Sequence, residues 1–546
     1  MPPSRAPRPA PACGALGAAR GWVLGLALAL VAAPGSAAGQ ALADPLVPRG
    51  RVRFDFVPSL SSWDTRYGVR REGGAAVEGE EELGVDLTDP RGLSLFPGIA
   101  TLEERLRTLS GDAGFQGTVG SVSGWLDKEV TRLDMGLRVG VFDWLTVGAN
   151  VPYVKGQSTL DFAFRADPAA NLGVSPALTA NSAVGRVLSG LGTAAVAASG
   201  RAQTVCGAGA GADCQSATAL ARRANDFWQG MFGAYFASPF FPLGSAPVST
   251  RLQAAFASLD GALAAAGLPR VGAPLAFATK GVDEQTLRGL PSDPASGIGM
   301  TPIQSYPGLW QLGDIEVNAT VRLLEGERRD SGAVSPRLAW AIHGGFLVRL
   351  PTGALDDPAV FLDVASGDAQ QDMEGRLEAG LRIGSRLGFR GGFRYGTQGG
   401  VDVVRRVAPH EALLPLENSA RVVRWTPGSY TLIELSPRVH LGEALALAAD
   451  YRRFHKAQDG YELVGEEPEG AAAADPSLLA GETEMTFEEV AVGLRYSSLG
   501  LWRQGRVGTP AELGLRWILP LSGSGGQTPK ATRVEFSLSL FRRIWG

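Results

Sequence analysis

The chain has 546 residues, a formal net charge of −4 and 45% hydrophobic residues, and its charged fraction of 19% lies below the quarter typical of soluble domains. These figures exclude a disordered acidic or basic chain and leave either several soluble domains or one large sheet structure. Positive charge is almost all arginine and no Lys/Arg run forms a basic patch, so no nucleic-acid partner is expected.

At the N-terminus, Arg5, Arg8 and Arg20 precede an apolar core, Trp22 to Ala33, followed by the small residues "PGSAAGQA". That order predicts a secretory signal peptide over 1–38, cleaved after Ala38 or Gly39. The apolar core, about twelve residues, is short of the roughly 20 that span a bilayer. A first strand is expected near Arg51–Pro58, followed by some 70 residues to 128 that read as a long outer loop.

From Leu133 a period-2 pattern sets in. Leu133, Met135, Leu137, Val139 and Val141 alternate with Asp134, Gly136, Arg138 and Gly140. After "FD" it resumes with Leu145, Val147, Ala149, Val151 and Tyr153. A helix would place Arg138 in its apolar stripe, so 129–156 is read as two strands.

Residues 157–311 are too many for a bare loop. Ala183–Ser199, "SATALARRANDFWQGMFGAYFA" and "TRLQAAFASLDGALAAAG" carry near-helical spacing, so a helical extracellular insert is expected, either a cap on the rim or a plug in the bore. Within it Cys206 and Cys214 close a short Gly/Ala loop. An even pair in an exported chain predicts a disulfide, and no His or second Cys pair lies near enough for a metal.

The alternation then covers the region 312–546. Ile315, Val317, Ala319, Val321 and Leu323 oppose Asp314, Glu316 and Arg322; Trp340, Ile342, Phe346 and Val348 oppose His343 and Arg349; Leu377 and Leu381 oppose Glu374, Glu378 and Arg382. Phe389 and Phe393 oppose Arg390 and Arg394, and similar segments are Tyr430–Leu441, Ala444–His455, Glu484–Ser497, Ala511–Pro520 and Thr532–Trp545. Most reach ten residues or more, enough to cross a bilayer at a tilt. Long connections (59–128, 157–311, 351–371, 398–427, 457–482, 521–531) alternate with short ones (142–143, 325–335, 385–386, 442–443, 499–508). The expected fold is all-β: a transmembrane antiparallel β-barrel of about twelve strands in outer-membrane lipid, short turns in the periplasm and long loops outside. Its C-terminal "FRRIWG" suits recognition by barrel-assembly machinery.

The inward parity predicts lumen-lining charges: Asp134, Arg138, Glu316, Arg322, His343, Arg349, Glu378, Arg382, Arg390, Arg394, Arg495 and Arg516. Mixed signs in a small barrel form cross-strand ion pairs, and the arginine excess leans toward anionic or carboxylated solutes. Enzyme signatures are lacking: His343, His410, His440 and His455 sit in no H-E-x-x-H motif, and no G-x-S-x-G elbow or P-loop is present. No catalytic residue, cofactor or metal is therefore expected. Asp356, Asp357, Asp363 and Asp368 read as a solvated acidic loop, with Ca²⁺ as the alternative.

Val151-Pro152-Tyr153, Leu312-Gly313-Asp314 and Pro351-Thr352-Gly353, each at a strand end, resemble the outer-membrane family named for the phenol meta-cleavage pathway. That resemblance covers about 129–156 and 311–546. It implies a barrel of about twelve strands that transports hydrophobic compounds, with no catalytic residues; the long insert departs from the pattern. The functional expectation is a channel or transporter for small, hydrophobic or aromatic molecules. The alternatives are a non-conducting scaffold or adhesin and an outer-membrane hydrolase.

Overall fold

The computed structural model describes residues 45–72, 75–328, 337–409, 412–465 and 474–545. The expected signal peptide and the His410-Glu411 pair lie outside the described residues. Twelve strands form the wall: β1 (Arg51–Trp63), β2 (Gly120–Phe142), β3 (Leu145–Ala166), β4 (Glu316–Arg328), β5 (Leu338–Arg349) and β6 (Asp372–Ile383). The second half is β7 (Leu387–Gln398), β8 (Tyr430–His440), β9 (Leu445–Lys456), β10 (Met485–Ser497), β11 (Ala511–Ser524) and β12 (Thr532–Arg543). Each pairs antiparallel with its neighbours in chain order, and β1 pairs with β12, for example Asp55 opposite Ser539. Around the wall the sheet closes into an up-and-down barrel, which satisfies backbone groups where no water can.

Alternation gives the wall two chemistries. Phe54, Leu137, Val317, Leu377, Phe393, Leu447, Val492 and Leu515 are exposed on the outer face, while Arg53, Asp134, Glu316, Arg394, Asp450 and Arg516 are buried within. An apolar belt of this kind on an isolated chain is the surface that lipid covers. Exposed aromatics flank it, Phe142, Trp144 and Trp545 at the short-turn end and Tyr153, Trp310 and Tyr395 toward the long loops. Among the described residues no helix is long and apolar enough to cross a membrane. The adjacent Leu323 and Leu324, both exposed, mark a bulge: Ile342 pairs with Leu324 and His343 with Arg322. The bulge keeps Arg322 opposite the inward His343 despite two successive outward leucines.

The first hairpin departs from the expected length. β2 has 23 residues and β3 22, about twice what a bilayer needs, and Gly120–Asp127 pair with β3 but not with β1. The strand expected to end at 156 thus continues through Leu160, Phe162 and Phe164. This projecting ribbon carries the insert. Helices α1 (Ile99–Ser110), α2 (Asn181–Gly207), α3 (Ala212–Ala237) and α4 (Pro247–Ala265) share one apolar core with Leu126, Val130, Val154 and Phe162. The stretch of some 70 residues after the first strand, expected as a long outer loop, holds α1 and the hairpin Thr65–Glu72/Ala75–Glu82. Cys206 and Cys214 form a disulfide, Cα atoms 4.7 Å apart, across the α2–α3 turn.

Candidate functional site

Inside the wall, the inward charges of neighbouring strands meet. Arg394 Nη2 lies 2.6 Å from Glu434 Oε2, and Arg452 bridges Glu434 (3.2 Å) and Glu489 (3.3 Å). Arg516 binds Glu535 at 2.5 Å and Asp450 at 3.5 Å, and Arg533 reaches Glu489 at 2.9 Å. On strands β1 to β6, Asp55 lies between Arg53 (3.0 Å) and Arg138 (3.3 Å), and Arg349 pairs with Glu316 (3.4 Å) and Asp372. Asp134 accepts from Arg132 at 2.9 Å and from the Asn150 amide at 2.9 Å. A carboxylate or guanidinium in such a narrow interior is tolerable because its neighbours carry the opposite charge.

Of the residues read from the sequence, Asp134, Arg138, Glu316, Arg349, Arg394 and Arg516 are buried in this network. Arg495 pairs with Glu512 near the short-turn end. Arg322 is held at the rim by Glu325 and the Asp143 carbonyl. His343, Glu378, Arg382 and Arg390 surround a cavity of about 850 Å³ at the same end. Arg53, Asp55, Glu434, Asp450, Arg452 and Glu489 were missed as members of the network, although all share the inward parity of strands already recognised. His440 lines the cavity, and His455 Nδ1 lies 2.9 Å from Thr486 Oγ1.

The long-loop end is tied together by Asp314. Its carboxylate accepts the backbone N–H groups of Thr352 (3.0 Å), Gly353 (2.8 Å) and Asp368 (3.2 Å). Thr352 Oγ1 in turn donates to Gly313 O (2.8 Å) and accepts from Ile315 N (2.9 Å), while Gly313 N donates to Pro152 O (2.8 Å). The three strand-end motifs around residues 152, 313 and 352 therefore form one junction, although they are distant in sequence.

Beyond it the loops interlock. Ala359 O accepts from Thr301 N at 2.8 Å, and Phe361 and Val364 enter the insert's apolar core. Arg406, on the hairpin Val401–Arg406/Ala420–Thr426, donates to the carbonyls of Ile298, Gly299 (2.7 Å) and Pro415 (2.7 Å). In the acidic loop, Asp368 is pushed up to about 7 by burial and by the nearby Asp372 and Asp314 carboxylates. Asp357 N and Val364 N both donate to the Asp363 carboxylate, so this loop is organised by its own backbone. Among the described residues no group of His, Cys, Asp and Glu has a metal-holding arrangement.

No protein-family model matches the chain, and no curated protein matches it. Solved structures do. An outer membrane channel from Pseudomonas putida F1 aligns over 92% of this chain and 100% of its own, at 8% identity and a TM-score of 0.37. The translocator domain of the autotransporter NalP from Neisseria meningitidis aligns over 92% and 91%, at 7% identity and a TM-score of 0.27. A deletion mutant of the TodX monoaromatic hydrocarbon channel aligns over 91% and 91%, at 10% identity and a TM-score of 0.26.

Proposed function

We propose that the chain is an outer-membrane channel that passes small molecules, hydrophobic or aromatic ones included, with its loops and insert as the gate. One observation carries the reading. A closed wall with a charged inner face encloses an 850 Å³ cavity at the short-turn end, while the long-loop end is held shut by interlocked loops. A scaffold needs neither the inner cavity nor a polar bore.

A route through the wall suits the hydrophobic part of the proposal. An apolar groove of about 520 Å³ lies over Pro437, lined by Ile383, Phe389, Val439, Leu447 and Val492. Pro437 has no N–H to give, and ladder pairing of β8 with β9 skips Ser436 and Pro437 before resuming at Arg438 and Ala448.

The test is single-channel conductance of the refolded protein in a planar bilayer, compared with a form in which residues 167–304 are replaced by a short flexible linker. Discrete steps that grow on shortening support a gated pore. Silence from both forms, with folding confirmed, sinks the open-pore reading. Separately, gene deletion should lower solute uptake and leave surface adhesion intact; the reverse result favours an adhesin.

A further inference from the structure

We propose that the groove over Pro437 seats one acyl chain of an anionic phospholipid from the leaflet at the short-turn end, with the lipid's phosphate at Arg386. The proposal does not rest on passage of solute through the bore. Strand register makes the groove a trough across the outer wall. Leu381, Phe389, Pro437, Ala449 and Val492 stand side by side on β6 to β10. Toward the short turns the next row is Ile383, Leu387, Val439, Leu447 and Leu494, all exposed. On the other side Leu435 and Tyr451 stand above Pro437 and Ala449. A proline ring and a methyl group thus lie between rows of larger side chains, and they form the low floor of the trough.

The trough has the reach of a single chain. Five strands spaced about 4.8 Å apart give it a length of about 19 Å. Running across strands tilted about 45°, it climbs about 14 Å, close to half of the roughly 30 Å hydrocarbon core. It starts at the rim. On β7 Leu387 follows Arg386 directly, whereas on β9 Ala449 lies well up the strand from the turn at Gly442.

The rim at that end is cationic. Arg386 is exposed in the β6–β7 turn and has no ion pair among the described residues, while its carbonyl accepts His440 N at 2.7 Å. Arg337, also exposed, accepts Gly384 N at 2.9 Å through its carbonyl, so a second arginine stands beside the same turn. Residues 383–387 contain no carboxylate, and Glu443 in the next turn is paired with Arg506. A guanidinium fork suits a phosphate, and the trough beside it suits the tail. A tail lying there covers the point where β8–β9 pairing skips Ser436 and Pro437, and where the Ser436 hydroxyl turns inward to Asp450. A solute leaving through the wall at this point has to displace it.

The experiment is native mass spectrometry of the full chain released from non-ionic detergent and titrated with dipalmitoyl phosphatidylglycerol, dipalmitoyl glycerol or inorganic phosphate. Wild type is compared with Ala449→Phe, which fills the trough, and with Arg386→Gln. Both positions are exposed on the barrel's outside, and heat-modifiable gel migration confirms folding. One phosphatidylglycerol per barrel should bind at least tenfold more tightly than either other probe. Ala449→Phe should weaken it about tenfold, and Arg386→Gln should bring it to the level of dipalmitoyl glycerol. Several lipids binding alike with no first tight step, or no change in Ala449→Phe, overturns the seat. Dipalmitoyl glycerol binding as tightly as phosphatidylglycerol overturns the role of Arg386. Phosphate alone binding as tightly overturns the role of the trough. The wild-type comparison of the three probes decides the matter even if a variant fails to fold.

Discussion

The carboxylate of Asp314 accepts the amide of Gly353 at 2.8 Å, joining the entry of β4 to the loop that leaves β5. With Thr352 N and Asp368 N on the same carboxylate, three backbone donors depend on one side chain. Asp314→Ala should therefore destabilise the loop by about 2–4 kcal/mol, since each of the three part-buried donors loses a hydrogen bond worth roughly 0.5–1.5 kcal/mol. Limited proteolysis between 350 and 371 checks it: cleavage should accelerate while the barrel stays resistant. Unchanged cleavage would mean that the junction is not what holds the loop.

The same junction has no room for a side chain at Gly353. A Cβ there would lie 2.6 Å from Gly367 Cα and 3.0 Å from Asp314 Oδ1. Gly353→Ala should cost about 1–3 kcal/mol by overpacking and show the same pattern of loop cleavage. The denaturation midpoint of the barrel should stay within error.

Asp368 supplies a pH dependence. Its carboxyl is raised from 3.8 to about 7, so between those values the folded protein keeps a proton that the unfolded chain has released. The stability from the neutral form is complete below about pH 4 and is lost as the pH rises through about 7. Above it Asp368 is charged beside Asp314 and Asp372, with Arg349 the opposing cation and Gln398 donating to its Oδ2 at 3.2 Å. Loop protection measured by hydrogen exchange should fall from pH 5 to pH 8 in wild type. Asp368→Asn should flatten that profile; an unaltered slope would remove Asp368 as its source.

In the barrel interior, Arg516 holds both Glu535 and Asp450. Arg516→Met strands two buried carboxylates and should destabilise the barrel by about 3–5 kcal/mol. Replacing Glu535 and Asp450 by Gln and Asn in the same chain should restore much of that loss. Urea unfolding in detergent would read both variants, and no rescue would show that packing, not charge, sets the cost.

Removing the disulfide by Cys206→Ser and Cys214→Ser should loosen the α2–α3 turn alone. Closing so short a loop contributes about 2–3 kcal/mol in the chain-entropy view. Protease sensitivity should rise between 200 and 220, and conductance of the barrel should not change. Loss of barrel folding would show that the insert is needed for assembly.

How much of this was legible follows from the kind of signal each part leaves. Strict alternation in "DMGLRVGVF" or "RLEAGLRIG" fixes both the strand and its inward parity, because the outer face meets lipid and the inner face does not. Leu160, Phe162 and Phe164 carried the same signal past Gln157, and Leu102 and Leu106 with Ile99 carried a helical one. Each was readable, but an expected strand length or a long unassigned loop obscured it. Which arginine pairs with which glutamate was not legible. Arg516 and Asp450 are 66 residues apart and meet only through stagger across two strand interfaces. The junction at Asp314 was visible as three short motifs, yet nothing in one sequence says that they touch.

The closure of β1 on β12 has a consequence in time. Ser539 donates to Asp55 at 2.5 Å across 484 positions of chain. Every other neighbouring pair in the wall joins strands that follow one another, so each can zip as its second strand arrives. The seam alone joins the first strand to the last, so β1 must wait for the whole wall. Until then Asp55 has Arg138 but not Ser539, and one edge of the growing sheet stays open to any strand that offers itself. Assembly of this protein is therefore a race between its own last strand and foreign partners, decided at a single interface.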